Sequence, residues 1–116
     1  MTSCRRGDVV LVPFPFTDLS TTKQRPAVVV SPDTWNACQS DVMLVAITSQ
    51  MNVAPGPQDH VVLTAADIAA AGLPKPSRIR TTKLFTMHSG LLKRTLGHLP
   101  DATTHAILSQ LRTFFS

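Results

Sequence analysis

A mainly β fold with short helices, a small curled antiparallel sheet with a C-terminal helix packed on it, is predicted by three observations. Short, β-branched apolar runs dominate the first half of the chain. Stretches rich in Pro, Gly, Asp, Ser and Thr separate them. Only near the C-terminus do apolar residues keep a long helical spacing. The 116 residues, 43% apolar and 16% charged, fit one compact domain over residues 1–116, large enough to bury a core. No repeat or composition shift marks a boundary.

Three strands are expected first, at "DVVLVPF" (8–14), "AVVVS" (27–31) and "DVMLVAITS" (41–49). Between the first two lies "PFPFTDLSTTKQ", a loop of about 12 residues, a length more common in functional loops than in plain connections. "PDTWNACQS" has room for a single helical turn, and "NVAPGPQD" must be loop. "HVVLT" (60–64) is a fourth strand. "TAADIAAAGLP" is a short helix, with Thr64 and Asp67 in capping-box positions and Gly72 and Pro74 stopping it. "SRIRTTKLFTMH" (77–88) alternates as a long strand with Arg78, Arg80 and Thr82 on one face. "LLKRTLGHL" is strand-like. The final helix runs through Ile107, Leu111 and Phe114, with Asp101 as its expected cap.

Charge narrows the function. Eleven Lys and Arg against seven acids give +4, and a pI near 9.7 leans toward an anionic partner, nucleic acid first. Every acid is Asp, so glutamate catalysis is excluded. The chain offers no carboxylate pair and no Cys/His cluster with metal-ligand spacing, so no metal or cofactor is expected. Cys4 and Cys38, without acidic or histidine neighbours, read as reduced thiols of a cytoplasmic protein. No signal peptide or membrane span is expected.

The run "QRPAVVVSPD" (24–33) opens an apolar strand with an arginine locked against a proline. Pro26 forces Arg25 into an extended conformation. If the strands 27–31 and 41–48 are antiparallel neighbours, Ala27 pairs with Ala46 and Arg25 comes level with Thr48, the first polar residue after "VMLVAI". An always-charged guanidinium beside a hydroxyl suits a phosphate, or the charge that develops on a phosphorane. RNA brings its own nucleophile, the 2′-hydroxyl, so such a pair needs no metal. The same residues also fit a capped strand end with no chemistry.

The ordered blocks "RRGDVVLVPF", "QRPAVVVS" and "VMLVAITSQ" resemble the MazF/PemK family of toxin endoribonucleases, and the similarity continues collinearly through "HVVLTAADIAAAGLPKPSRIRTTKLFTMH" to the C-terminal helix. This resemblance implies an SH3-like barrel of the CcdB/PemK type that forms a homodimer and cuts single-stranded RNA without metal. It implies Arg25 and Thr48 as the catalytic pair, Arg25 for transition-state charge and Thr48 for orienting or activating the 2′-hydroxyl. The products would carry 2′,3′-cyclic phosphate and 5′-hydroxyl ends. A cognate MazE-like antitoxin would inhibit through its C-terminal segment. The RNA-binding candidates beside the pair are Phe16, Lys23, Ser49, Gln50, Arg78, Arg80 and Lys83. Phe85 stands where relatives often carry a basic residue, so either Lys83 substitutes for it or the base preference differs.

Phe14 and Phe16 are either core plugs or stacking platforms, with Phe16 the better platform. Gly7 and Asp8 read as a structural turn. Trp35 is expected in the core or a dimer interface. Lys75, Arg78, Arg80, Lys83, Lys93 and Arg94 crowd an interval without an acid, the pattern of a phosphate-tracking groove. His60 and His88 are the first candidates for a general base. The competing reading is a non-catalytic, CcdB-like toxin that binds DNA gyrase, which would have no use for the Arg-Pro and Thr-Ser blocks.

Overall fold

The computed structural model describes residues 4–14, 23–49 and 60–116, with only the backbone of Phe14 and His60. The element order is β1 (Asp8–Phe14), β2 (Lys23–Val29), α1 (Asp33–Cys38), β3 (Asp41–Thr48), β4 (His60–Val62), α2 (Ala65–Ala71), β5 (Arg78–His88), β6 (Arg94–His98) and α3 (Asp101–Phe114), with a short 3₁₀ turn at Ser89–Leu91. The strands form one antiparallel sheet in the order β4-β5-β3-β2-β1-β6. Register shifts in the β1–β6 and β3–β5 ladders bend it into a half-barrel. Every expected strand and helix is present.

Alternation along the strands divides the core in two. Val9, Val28, Val45, Ile47 and Ile79 point to one face, where Ala71, Leu73, Leu99 and Ile107 from α2, α3 and their flanks cover them. Val10, Val12, Ala27, Val29, Leu44 and Ala46 point to the other face, whose cluster draws no residue from α2 or α3.

The local chemistry explains the joints. Thr64 accepts a hydrogen bond from the Asp67 backbone, and Asp67 accepts one from the Thr64 backbone, completing the capping box. Burial pushes the Asp67 carboxyl up, but hydrogen bonds from Thr103 and from Thr64 outweigh it and hold the group below the ordinary carboxylate range. Asp8 ties the N-terminal turn to β6, accepting from the Arg5 backbone at 2.9 Å and meeting His98 Nδ1 at 2.8 Å. Buried Asn36 anchors α1: it donates to the carbonyls of Cys4 and Ser31 and accepts from the Ser31 hydroxyl.

Three expectations are corrected. β2 begins at Lys23, so Arg25 and Pro26 lie inside the strand and not at its mouth. α3 is capped by Pro100; Asp101 stands in the first turn, where its charge complements the helix dipole, and makes no cap bond. Trp35 is not core: it is 45% exposed, its indole N–H donating to the Asp41 carbonyl. No helix among the described residues is long and apolar enough to cross a membrane.

Candidate active site

The proline after Arg25 shapes the site. Val30 donates its N–H to Met43 of β3, while the Val29 carbonyl faces Gly7, on the β1 side. Backbone groups alternate along a strand, so the N–H that Pro26 lacks would have faced β3. The β2–β3 ladder accordingly ends at the pair Ala27–Ala46, one residue short of Pro26. That pair is the register expected from the sequence. Two residues further on, Arg25 is level with Thr48, where the strands have parted. On the β1 side pairing continues through Val12–Arg25 to Phe14–Lys23, which holds the arginine's backbone in place.

Thr48 has a second neighbour: it pairs with Arg78 of β5, and Ala46 pairs with Arg80. Paired residues share a face, so Thr48, Arg78 and Arg80 lie on the face opposite α2 and α3. Arg78 is only 4% exposed, and Arg80 is half-buried. Neither is the solvated, backbone-tracking charge that alternation alone suggests; Arg78 is a guanidinium packed beside the Thr48 position. Lys83 is exposed and belongs to the three residues, 81–83, that β5 carries between its partners of Val45 and Ala46. Thr81 in the same stretch turns back toward α3, its hydroxyl donating to Gln110 at 3.2 Å.

Where β2 and β3 part, a cleft of about 90 Å³ opens. Arg25 and Pro26 form one wall and Ser49 part of the other; Ile47 and Leu73 lie beneath. The α2–β5 loop completes the wall with Pro74, Lys75 and Ser77. Arg25, Ser49 and Lys75 are exposed, so the rim carries two cations and a hydroxyl over an apolar floor.

The remaining candidates separate. Lys23 is exposed at the start of β2, on the same side of the sheet edge as Arg25. Phe16 and Gln50 lie outside the described residues, as do the side chains of Phe14 and His60. His88 pairs with Asp41 at the far end of β3, roughly 23 Å along the strand from Thr48 at its ordinary rise. There it borders a second cavity of about 430 Å³ together with Val42, Leu92 and Arg94. The structure therefore does not bring His88 to the Arg25–Thr48 end. Nor does the basic interval form one groove. Lys75 joins the cleft, Arg78 and Arg80 lie in the sheet beside Thr48, and Arg94 stands at the opposite end. Phe85 is half-buried on the uncovered face, packed against the cluster around Leu44. Burial, and then the charge of Asp8, push the Cys4 thiol upward, away from a reactive thiolate.

The family described as PemK-like, MazF-like toxin of type II toxin–antitoxin system matches residues 5–115. No curated protein matches the chain. Among solved structures, an endoribonuclease from a mycobacterial species superposes with a TM-score of 0.76 at 21% identity, over 99% of this chain and 93% of that one. An endoribonuclease in complex with its cognate antitoxin, also mycobacterial, superposes at 0.78 and 20% identity, over 97% and 95%. A MazE–MazF crystal structure from Deinococcus radiodurans gives 0.76 and 18%, over 100% and 98%. At these identities the structural likeness speaks for the fold, while the family match spans the strands, the cleft and the C-terminal helix.

Proposed function

The chain belongs to the PemK-like, MazF-like toxins of type II toxin–antitoxin systems, and from that membership we propose that residues 1–116 act as one toxin domain, a cytoplasmic, metal-independent endoribonuclease of single-stranded RNA. The observation that carries this reading is the strand register, which, continued two residues past the Ala27–Ala46 pair, brings Arg25, a residue of the cleft lining, level with Thr48. In the proposed reaction the 2′-oxygen attacks the adjacent phosphorus and loses its proton. The bond to the 5′-oxygen breaks, and that oxygen gains a proton. The products are a 2′,3′-cyclic phosphate and a 5′-hydroxyl. Arg25 holds the non-bridging oxygens as their charge grows, a role suited to a planar, permanently charged fork. Thr48 orients the 2′-hydroxyl. The substrate supplies the nucleophile, and the protein supplies position and charge. Incubated with a long single-stranded RNA in the presence of EDTA, the protein should produce a few discrete fragments. A protein that leaves the RNA whole and instead captures DNA gyrase would favour the CcdB-like reading.

The partners follow from the same proposal. One is a MazE-like antitoxin whose C-terminal segment covers the site. The other is a second copy of the chain. The sheet face without cover from α2 or α3 carries half-buried Phe85, Met87 and Leu92 beside the cluster of Val42 and Leu44. An apolar face of this kind fits a homodimer interface. Sedimentation at micromolar concentration should show a dimer, and Met87→Lys should weaken association at least about tenfold by placing a charge in the interface. A monomeric wild-type protein would remove the dimer.

A further inference from the structure

We propose that Lys75 is a second phosphate-binding cation of the Arg25 cleft, seating the nucleotide beside the scissile phosphate of single-stranded RNA. The inference rests on the proposed endoribonuclease reading and adds a residue whose place in the cleft the sequence does not reveal. Lys75 and Arg25 stand fifty positions apart in the chain yet border the same opening of about 90 Å³.

The loop that carries Lys75 is built to hold it there. α2 ends at Gly72 in the left-handed conformation, with Gly72 N–H donating to Ala69 and Leu73 N–H to Ile68 at 3.1 Å. Leu73 then turns inward and is 8% exposed, fastening the start of the loop to the core. Pro74 and Pro76 flank Lys75; the second biases it to an extended backbone. On the far side the Ser77 hydroxyl donates to the Lys75 carbonyl at 3.0 Å, and the Ser77 carbonyl accepts from Leu63 N–H at 3.3 Å. A lysine on a pinned backbone loses less freedom when it takes a ligand than one on a loose loop.

The chemistry of the opening selects the occupant. Two cations on separate walls suit a polymer that presents negative charges in sequence. Ser49 adds a hydroxyl that can donate to a phosphate or meet a ribose hydroxyl. Ile47, Leu73 and Pro74 give the apolar surface on which a ribose or a base can rest. An acidic peptide would meet the cations but would make less use of the apolar floor. Arg25 acts on the phosphate under attack, whereas Lys75, across the gap, takes the next one along the strand. The two charges therefore do different work: Arg25 on the chemical step, Lys75 on affinity.

The test compares wild type, Lys75→Ala and Lys75→Arg, with Arg25→Ala as reference. Lys75 is exposed, so its variants should keep the wild-type unfolding transition. The binding probe is a short, fully 2′-O-methylated single-stranded RNA, which cannot be cut. Lys75→Ala should weaken its binding about five- to tenfold at moderate salt and flatten the slope of log affinity against log salt by about 0.7. Lys75→Arg should retain both. With cleavable RNA, the loss in Lys75→Ala should fall in KM, whereas Arg25→Ala loses kcat. An unchanged affinity and salt slope in folded Lys75→Ala would overturn the proposal. So would a variant that loses affinity for an acidic peptide from the antitoxin while RNA binding stays the same. If wild type binds the methylated RNA and Lys75→Ala does not, but neither cuts RNA, the endoribonuclease reading fails while Lys75 keeps its phosphate.

Discussion

Replacing Arg25 or Thr48 by alanine should each lower RNA cleavage at saturating substrate by at least about 10²-fold, the scale of losing one preorganised transition-state group. Both residues sit beyond the last β2–β3 pair, and the ladders they keep, Arg25 with Val12 and Thr48 with Arg78, are made by backbone groups that alanine retains. Arg25 is exposed and Thr48 half-buried, and the variants should unfold at close to the wild-type temperature. Arg25→Lys should recover only a small part of the loss, because an ammonium keeps the charge without the fork that meets two phosphate oxygens. Single-turnover cleavage with circular dichroism on the same samples checks this. A folded Arg25→Ala protein that cuts RNA at a near-normal rate would remove Arg25 from the chemistry.

The largest effect on stability is expected away from the site, where α2 docks on β6. The backbone of Gly97 lies so near α2 that a β-carbon there would come within 2.3 Å of the Ala70 carbonyl oxygen. From the other side, a β-carbon on Gly72 would meet the Leu96 carbonyl oxygen at 2.2 Å, and Gly72 has φ of 70°. These contacts are with backbone, which cannot swing aside as a flexible side chain does. Gly97→Ala should therefore destabilise the fold by about 2–3 kcal/mol, the upper part of the overpacking range. Gly72→Ala adds the cost of a left-handed backbone without glycine. Chemical denaturation at fixed protein concentration reads both. A Gly97→Ala protein as stable as wild type would show that helix and strand can separate freely there.

Much of the fold could be read from the chain because its local signals agree. β-Branched runs bounded by Pro, Asp and Ser gave β1 the bounds observed and β3 the same but for Ser49, one residue past its end, and Thr64, Asp67 and Gly72 marked both ends of α2. The Ala27–Ala46 register followed from the short connection between two apolar runs. Depth was harder. Alternation assigned Arg78 to the correct face but not to its 4% exposure, because burial depends on what lies over the strand as well as on its pattern. The extra residues 81–83 of β5 were invisible for a related reason: a bulge is fixed by the partner strand. Lys75 looked like one charge among several in a basic interval, and only the folded loop takes it to Arg25. Pro26, read as the start of a strand, proved to be the residue at which β2 and β3 come apart.

The most direct measurement uses two RNAs that differ by one atom. The cut position is mapped with the wild-type protein in EDTA, and the same RNA is then made with a single 2′-deoxyribose on the 5′ side of that bond. The account predicts rapid cleavage of the all-ribose strand to a 2′,3′-cyclic phosphate and a 5′-hydroxyl, no cleavage of the deoxy strand at that bond, and similar binding of both. Cleavage of the deoxy strand at the same bond, or products ending in a 5′-phosphate, would contradict it.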